Sequence, residues 1–201
     1  MPTKVVNYRS KVPEGSIVVN TTSHSAVNWQ KQLSPFNLGP VEMTLHLAFP
    51  DLPRFSENME NAWQYSKVYA CHATADGTPT VLYFSWANAG FRDREAKRFP
   101  MGKGAKPLYS LFVNPTTHAV ERLGYVEARK KIYAPTYAKA VVKTEGYEEL
   151  KKLVSSTGAT VYLRDFDGYD AKDKTFLQVL DDPNRKMGHA FVLARLIEMD
   201  V

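Results

Sequence analysis

Ser56-Glu57-Asn58-Met59-Glu60-Asn61-Ala62-Trp63-Gln64-Tyr65-Ser66-Lys67-Val68-Tyr69 is the stretch whose reading decides the fold. At 3.6 residues per turn, Met59, Ala62, Trp63, Ser66 and Tyr69 follow the spacing of a core-facing stripe. Glu57, Glu60, Gln64 and Lys67 fall at i, i+3, i+7 and i+10 and make a second, polar stripe. Ser56 can cap the helix, and Glu57 suits the positive dipole of the first turn. The spacing therefore predicts an amphipathic helix. Its polar stripe either faces water or lines a ligand site, and function turns on which.

Outward from this helix, Val41, Met43, Leu45, Leu47 and Phe49 alternate with Glu42, Thr44, His46 and Ala48. That pattern predicts a half-buried strand, stopped by Pro50 and Pro53. Leu33 to Pro40 holds two prolines and a glycine and reads as a shaped loop. Ile17-Val18-Val19 predicts a short strand. On the C-terminal side, Val81 to Trp86 reads as a buried strand or the start of a buried helix. Arg92 to Phe99 reads as a short charged helix, and Pro100 to Pro107 as a glycine-rich basic loop. Helices are predicted over 125–133 and 136–143, interrupted by Pro135, and again over 147–154, 175–180 and 188–199. Thr160 to Leu163 predicts a strand that feeds an acidic turn, Asp165 to Asp170. Helices outnumber strands, and the two do not alternate as a doubly wound sheet requires. The expected fold is α+β, mainly helical: a single compact domain over residues 1–201 with a small β-sheet.

Composition narrows the function classes. The 201 residues are 44% hydrophobic and carry a net charge of +5. That mild basicity suits phosphate-bearing ligands or nucleic acid. The lone Cys71 permits no disulfide within the chain and no clustered-cysteine zinc site. It points to a reducing compartment, and Met1 to Lys4 lacks the apolar core of a signal peptide, so a cytoplasmic protein is expected. The longest apolar runs are too short to span a membrane. The five histidines are scattered, with no metal-ligand pair on one helix.

Several groups can carry chemistry. On the polar stripe, Glu60 can act as a general acid or base, and a shielded Lys67 can become a nucleophile toward a carbonyl or an anomeric carbon. Trp63 and Tyr65 flank the stripe as ring-stacking walls, with Gln64 between the two charges. The basic stretch Arg94 to Gly104, with Lys97, Arg98 and Lys103, does not match a Walker A loop. Its glycines and cations can meet a phosphate, or it is an exposed basic loop. Asp165 and Asp167 are candidate catalytic carboxylates at a strand end, or ordinary turn residues. The turn lacks the bidentate Glu of a calcium loop. Cys71-His72 carries no nucleophile signature, and His189, on an apolar helix, reads as a hydrogen-bonded core residue.

Glu60-Asn61-Ala62-Trp63-Gln64-Tyr65-Ser66-Lys67 resembles the Glu-His-x-Tyr-Gln-Ala-x-Lys helix of the NADAR (YbiA-like) superfamily of N-glycosidases. Leu33-Ser34-Pro35-Phe36-Asn37 is similar to its Leu-Ser-Asn-Phe loop, and Ala96-Lys97-Arg98 to its Ala-Lys-x-x-Gly-Arg stretch. Leu150 to Asp170 resembles its Leu-Leu-x-Thr-Gly helix, strand and Asp-x-x-Trp-Gly turn. The order of the segments carries the resemblance over residues 33–198 and leaves 1–32 as an N-terminal extension. Asn61 stands at the family's His, and Tyr169 rather than Trp accompanies Gly168. The resemblance implies a YbiA-like fold that cleaves ribose–nitrogen bonds in a ribose-phosphate or ADP-ribose-type ligand, without metal or cofactor. It implies Glu60 as acid/base, Lys67 as a nucleophile that traps opened ribose, and Gln64 as a ligand contact. Phe36, Asn37 and Trp63 would line the ligand, Lys97 or Arg98 would meet phosphate, and Asp165 or Asp167 would support the sugar or base. Two other classes stand beside this one: a non-catalytic nucleotide or nucleic-acid binding module, and an assembly protein whose polar stripe is merely solvated.

Overall fold

The computed structural model describes residues 3–200. It is an α+β protein of helices and small sheets. The strands in chain order are β1 Thr3–Asn7, β2 Ile17–Asn20, β3 Val41–Glu42, β4 Phe55–Ser56, β5 Lys67–Val68, β6 Tyr109–Val113, β7 Val120–Leu123 and β8 Val161–Asp165. The α-helices are α1 Asn28–Lys31, α2 Met59–Tyr65, α3 Val81–Arg92, α4 Tyr125–Ala128, α5 Ala134–Val141, α6 Glu145–Ser156, α7 Phe176–Leu180 and α8 His189–Asp200. The chain groups into two compact units, Met1–Leu38 with Tyr137–Val201, and Gly39–Thr136.

The first unit is built on a parallel sheet of order β1-β8-β2, with Val5 and Val19 both opposite Leu163. Val5, Val19, Val161 and Leu163 are buried, as are Ala190, Leu193 and Ile197 of α8, which packs against β1 and β8. Residues 3–20 of the supposed extension thus supply two of the three strands. β2 shows the three apolar residues that predict it, whereas β1 has only Val5 and Val6 in succession and escapes a sequence reading. Tyr137 is buried and donates from its hydroxyl to the Leu33 carbonyl at 2.7 Å.

The second unit holds two antiparallel sheets, β3-β4 and β5-β6-β7. It corrects four expectations. The strand expected over 41–49 ends at Glu42, and Leu45–Leu47 forms a 3₁₀ turn. Local bonds win there: Phe49 N–H reaches Leu45 O at 3.0 Å, and the His46 ring meets Met43 O at 2.8 Å. The 81–86 run starts helix α3, one of the two forms expected, but Val81 and Leu82 are exposed rather than buried. The charged helix expected over 92–99 does not form; α3 stops at Arg92. Pro135 does not break the helix it sits in. A π turn, Arg129–Tyr133, joins α4 to α5, and Ala134 N–H reaches back five residues to Arg129 O. The wider turn accommodates a residue without an N–H, whose ring would clash in a regular helix.

Candidate functional site

Helix α2 forms where it was expected but is shorter than its pattern. Asn58, not Ser56, caps it: Asn58 Oδ1 accepts from Asn61 N–H at 2.8 Å. Ser56 instead donates from Oγ to the Asn58 carbonyl at 2.9 Å. Ser66 closes the helix, and Lys67 already belongs to β5. All residues of α2 are buried, so the amphipathic expectation is corrected. Glu60 is 6% exposed and Gln64 8%.

The buried polar groups are joined. Gln64 Nε2 donates to Glu60 Oε1 at 2.8 Å, and Lys67 Nζ donates to Gln64 Oε1 at 2.6 Å. Lysine only donates and a carboxylate accepts, so one orientation of the amide serves both neighbours. The Lys67 ammonium also lies 4.5 Å from the Trp63 ring centroid, a favourable place for a cation.

Aromatic and cationic side chains extend this row. Trp63 meets Tyr133 edge-on at 5.2 Å between centroids and Tyr125 at 6.5 Å. Arg129 is fully buried, with its guanidinium 4.5 Å from the Tyr125 ring centroid. Tyr125, Arg129 and Tyr133 stand at i, i+4 and i+8, a one-face spacing that the sequence carries. The π turn that carries Arg129 is the kind of irregularity found at functional sites. Tyr125 remains 45% exposed and gives the cluster a face toward solvent. The arrangement offers a carboxyl group for proton transfer, an amine within its hydrogen-bond network, and rings for stacking.

On another side of α2, Asn61 binds the basic segment. Asn61 Nδ2 donates to the carbonyls of Asp93 and Glu95 at 2.9 and 3.0 Å, and Lys97 N–H donates to Asn61 Oδ1 at 2.8 Å. Asn58 Nδ2 adds bonds to the carbonyls of Asp93 and Arg94, both at 3.3 Å. The Lys97 ammonium is engaged by Glu95 and, at 4.0 Å, by Asp93. The Glu95 bond, with the two nearby carboxylates, raises the Lys97 pKa. Arg98 is half-buried, 5.4 Å over the Phe99 ring, and Lys103 is exposed. Glu60, Trp63, Gln64 and Lys67 are therefore brought together, and the same helix holds the segment bearing Lys97 and Arg98.

Phe36, Asn37, Asp165 and Asp167 belong to the first unit. Phe36 is half-buried, and Asn37 is exposed, donating to Lys31 O at 2.9 Å. Asp165 is buried and accepts from Ala190 N–H at 3.1 Å and Asp167 N–H at 3.2 Å. Its carboxylate also lies 3.1 Å from His189 Nδ1, while His189 Nε2 meets Thr21 O at 2.8 Å. Asp165 thus braces the first turn of α8, a favourable place for negative charge, and His189 is the hydrogen-bonded core residue expected. A surface cavity of about 580 Å³ beside the start of α6 is lined by Trp29, Thr144, Glu145 and Glu148 among others, and by none of the candidate residues. Among the described residues, no three His, Cys, Asp or Glu side chains gather as metal ligands. No helix among them is long and apolar enough to cross a membrane.

No family model, curated protein or solved structure matches this chain.

Proposed function

We propose that the chain is an N-glycosidase-like hydrolase with a YbiA-like fold, acting on the ribose–base bond of a phosphorylated nucleoside-type compound or an ADP-ribose adduct. The observation that carries this reading is the row Glu60–Gln64–Lys67, with the carboxyl and amide groups buried and the amine half-buried. Holding a buried carboxyl group and a partly shielded amine in one hydrogen-bonded row is costly and adds little stability, so such rows concentrate where chemistry is done. In this reading Glu60 gives a proton to the leaving nitrogen as its bond to C1′ breaks. Water then adds to C1′ and returns a proton to the Glu60 carboxylate. When the freed ribose opens to its aldehyde, the unprotonated Lys67 amine can condense with it, losing water to form an imine. Gln64 holds both groups in line, Trp63 offers its ring, and Arg98 meets phosphate. The lone, exposed Cys71 suits a reducing cytoplasmic setting.

The test uses ADP-ribosylated guanosine and a phosphoribosylated aminopyrimidine as substrates, with chromatography for the released base and borohydride for the imine. Base release by the wild type, lost in a folded Glu60→Ala chain, supports the reading. Full activity in Glu60→Ala, or no release from both substrates, overturns it. Borohydride trapping that survives Lys67→Ala overturns the role of Lys67.

A further inference from the structure

The basic segment is more than a loop between α3 and β6. From Arg92 to Lys106, six Lys or Arg face two acidic residues, Asp93 and Glu95, so a net +4 of the chain's +5 lies in this one stretch. The charge is outward: the Arg94 side chain is 92% exposed, and Lys103 and Lys106 are exposed. Phe99 is 46% exposed, with Arg98 stacked at 5.4 Å. Gly102 and Gly104 take left-handed φ values of +90° and +93°, and both have open space where a side chain would stand.

Though irregular, the stretch is tied down at both ends. Asn58 and Asn61 hold residues 93–97 to α2, and Leu108 N–H donates to Val68 O at 2.8 Å, beside Lys67. Both anchors belong to the α2–β5 segment that carries Glu60, Gln64 and Lys67. The stretch is therefore an exposed arch anchored at both ends, which restrains it before it binds and lowers the entropic cost of association.

We propose that this arch, residues 92–108, docks single-stranded nucleic acid alongside the α2–β5 segment. The cations match a phosphate backbone, and the exposed Phe99 ring offers a stacking face that an unpaired base can use and a paired base cannot. An acidic protein surface would leave that ring without a specific partner. The proposal does not depend on turnover, so failure of the hydrolase reading leaves it standing or falling on its own test.

That test is fluorescence anisotropy of a labelled oligodeoxyadenylate with the full chain across a salt series, beside the same strand as a duplex and anionic phospholipid vesicles. The expected result is saturable single-strand binding that weakens with salt. A chain carrying both Lys103→Ala and Lys106→Ala, substitutions at exposed positions, should bind at least about tenfold more weakly at low salt. Its log–log salt slope should fall by about 1.4, at about 0.7 per charge. Phe99→Ala should cost about fivefold or more on the single strand and little on the duplex. Absence of saturable binding at low salt overturns the proposal. So does an unchanged salt slope in the lysine variant. Equal loss on strand, duplex and vesicles with no effect of Phe99→Ala overturns it in favour of a general polyanion patch.

Discussion

The backbone N–H of Lys97 donates to the side-chain oxygen of Asn61 at 2.8 Å, and through this bond a helix reaches a loop 36 residues away in sequence. Asn61 is wholly buried and spends both hydrogens and its oxygen on the same segment. Asn61→Asp keeps the acceptor but sets a carboxylate against the Asp93 and Glu95 carbonyls. The expected loss of stability is about 1–3 kcal/mol, from two forfeited bonds and a carboxylate set against two part-buried carbonyls. Urea unfolding measures the loss, and amide exchange at Lys97 shows whether the segment is released. A variant whose stability falls while its 93–97 amides stay as protected as before would show that Asn61 does not hold the segment.

Gln64 bridges Glu60 and Lys67, donating to one and accepting from the other. Gln64→Leu is similar in volume and abolishes both hydrogen bonds of the row. On the proposed function it should lower turnover by at least about tenfold, the scale of a misplaced acid or base. Thermal unfolding should show the chain still folded. Steady-state kinetics on the substrates named above decide it; unchanged turnover in the folded Leu variant would remove Gln64 from the mechanism.

Gly90 owes its place to Tyr65. A Cβ at residue 90 would penetrate the Tyr65 ring, which is itself packed against Trp86 at 4.4 Å. Gly90→Ala should therefore destabilise by about 1–3 kcal/mol through overpacking. Combining it with Tyr65→Leu should show strong coupling in a double-mutant cycle. Simple additivity of the two losses would mean that the strain is relieved elsewhere.

His72 makes stability depend on pH. Its ring is buried beside Trp86, 4.6 Å between centroids, its Nδ1 has no hydrogen-bond partner among the described residues, and burial lowers its pKa. A lowered folded pKa means that the unfolded chain takes up the proton first as pH falls. The contribution is whole above the unfolded value of about 6.5 and is lost as pH drops through the folded one. Chemical unfolding at about pH 7.5 and about pH 5 should show a steeper acid loss in the wild type than in His72→Phe. Parallel losses in the two proteins would assign the acid sensitivity to the carboxylates instead.

The sequence alone determined the elements whose signal is local. The helix around Glu60 and Trp63, the helix over 147–154, the β2 and β8 strands and the terminal helix are all legible from apolar spacing and capping residues. Where two periodicities compete, local signals mislead. The alternation of Val41, Met43 and Leu45 holds for burial, yet hydrogen bonds within the Leu45–Leu47 turn decide the backbone. Pro135 reads as a helix break because sequence rules assume regular i to i−4 bonding, and the π turn removes that assumption. Of the site, residue types and order were readable: a carboxylate, an amide and an amine at helical spacing, although the helix ends at Tyr65 and the amine falls on β5.

Only the tertiary structure decided that Glu60 and Gln64 are buried, because burial depends on what packs against a helix and not on the helix's own pattern. It joined Glu60, Gln64 and Lys67 by hydrogen bonds, and it brought Trp63 to Tyr125 and Tyr133, 62 and 70 residues away in the sequence. It also tied the basic arch to the same helix through Asn61, an amide whose partners are backbone groups. Backbone donors and acceptors are the same at every residue, so no sequence pattern marks which of them a side chain will hold.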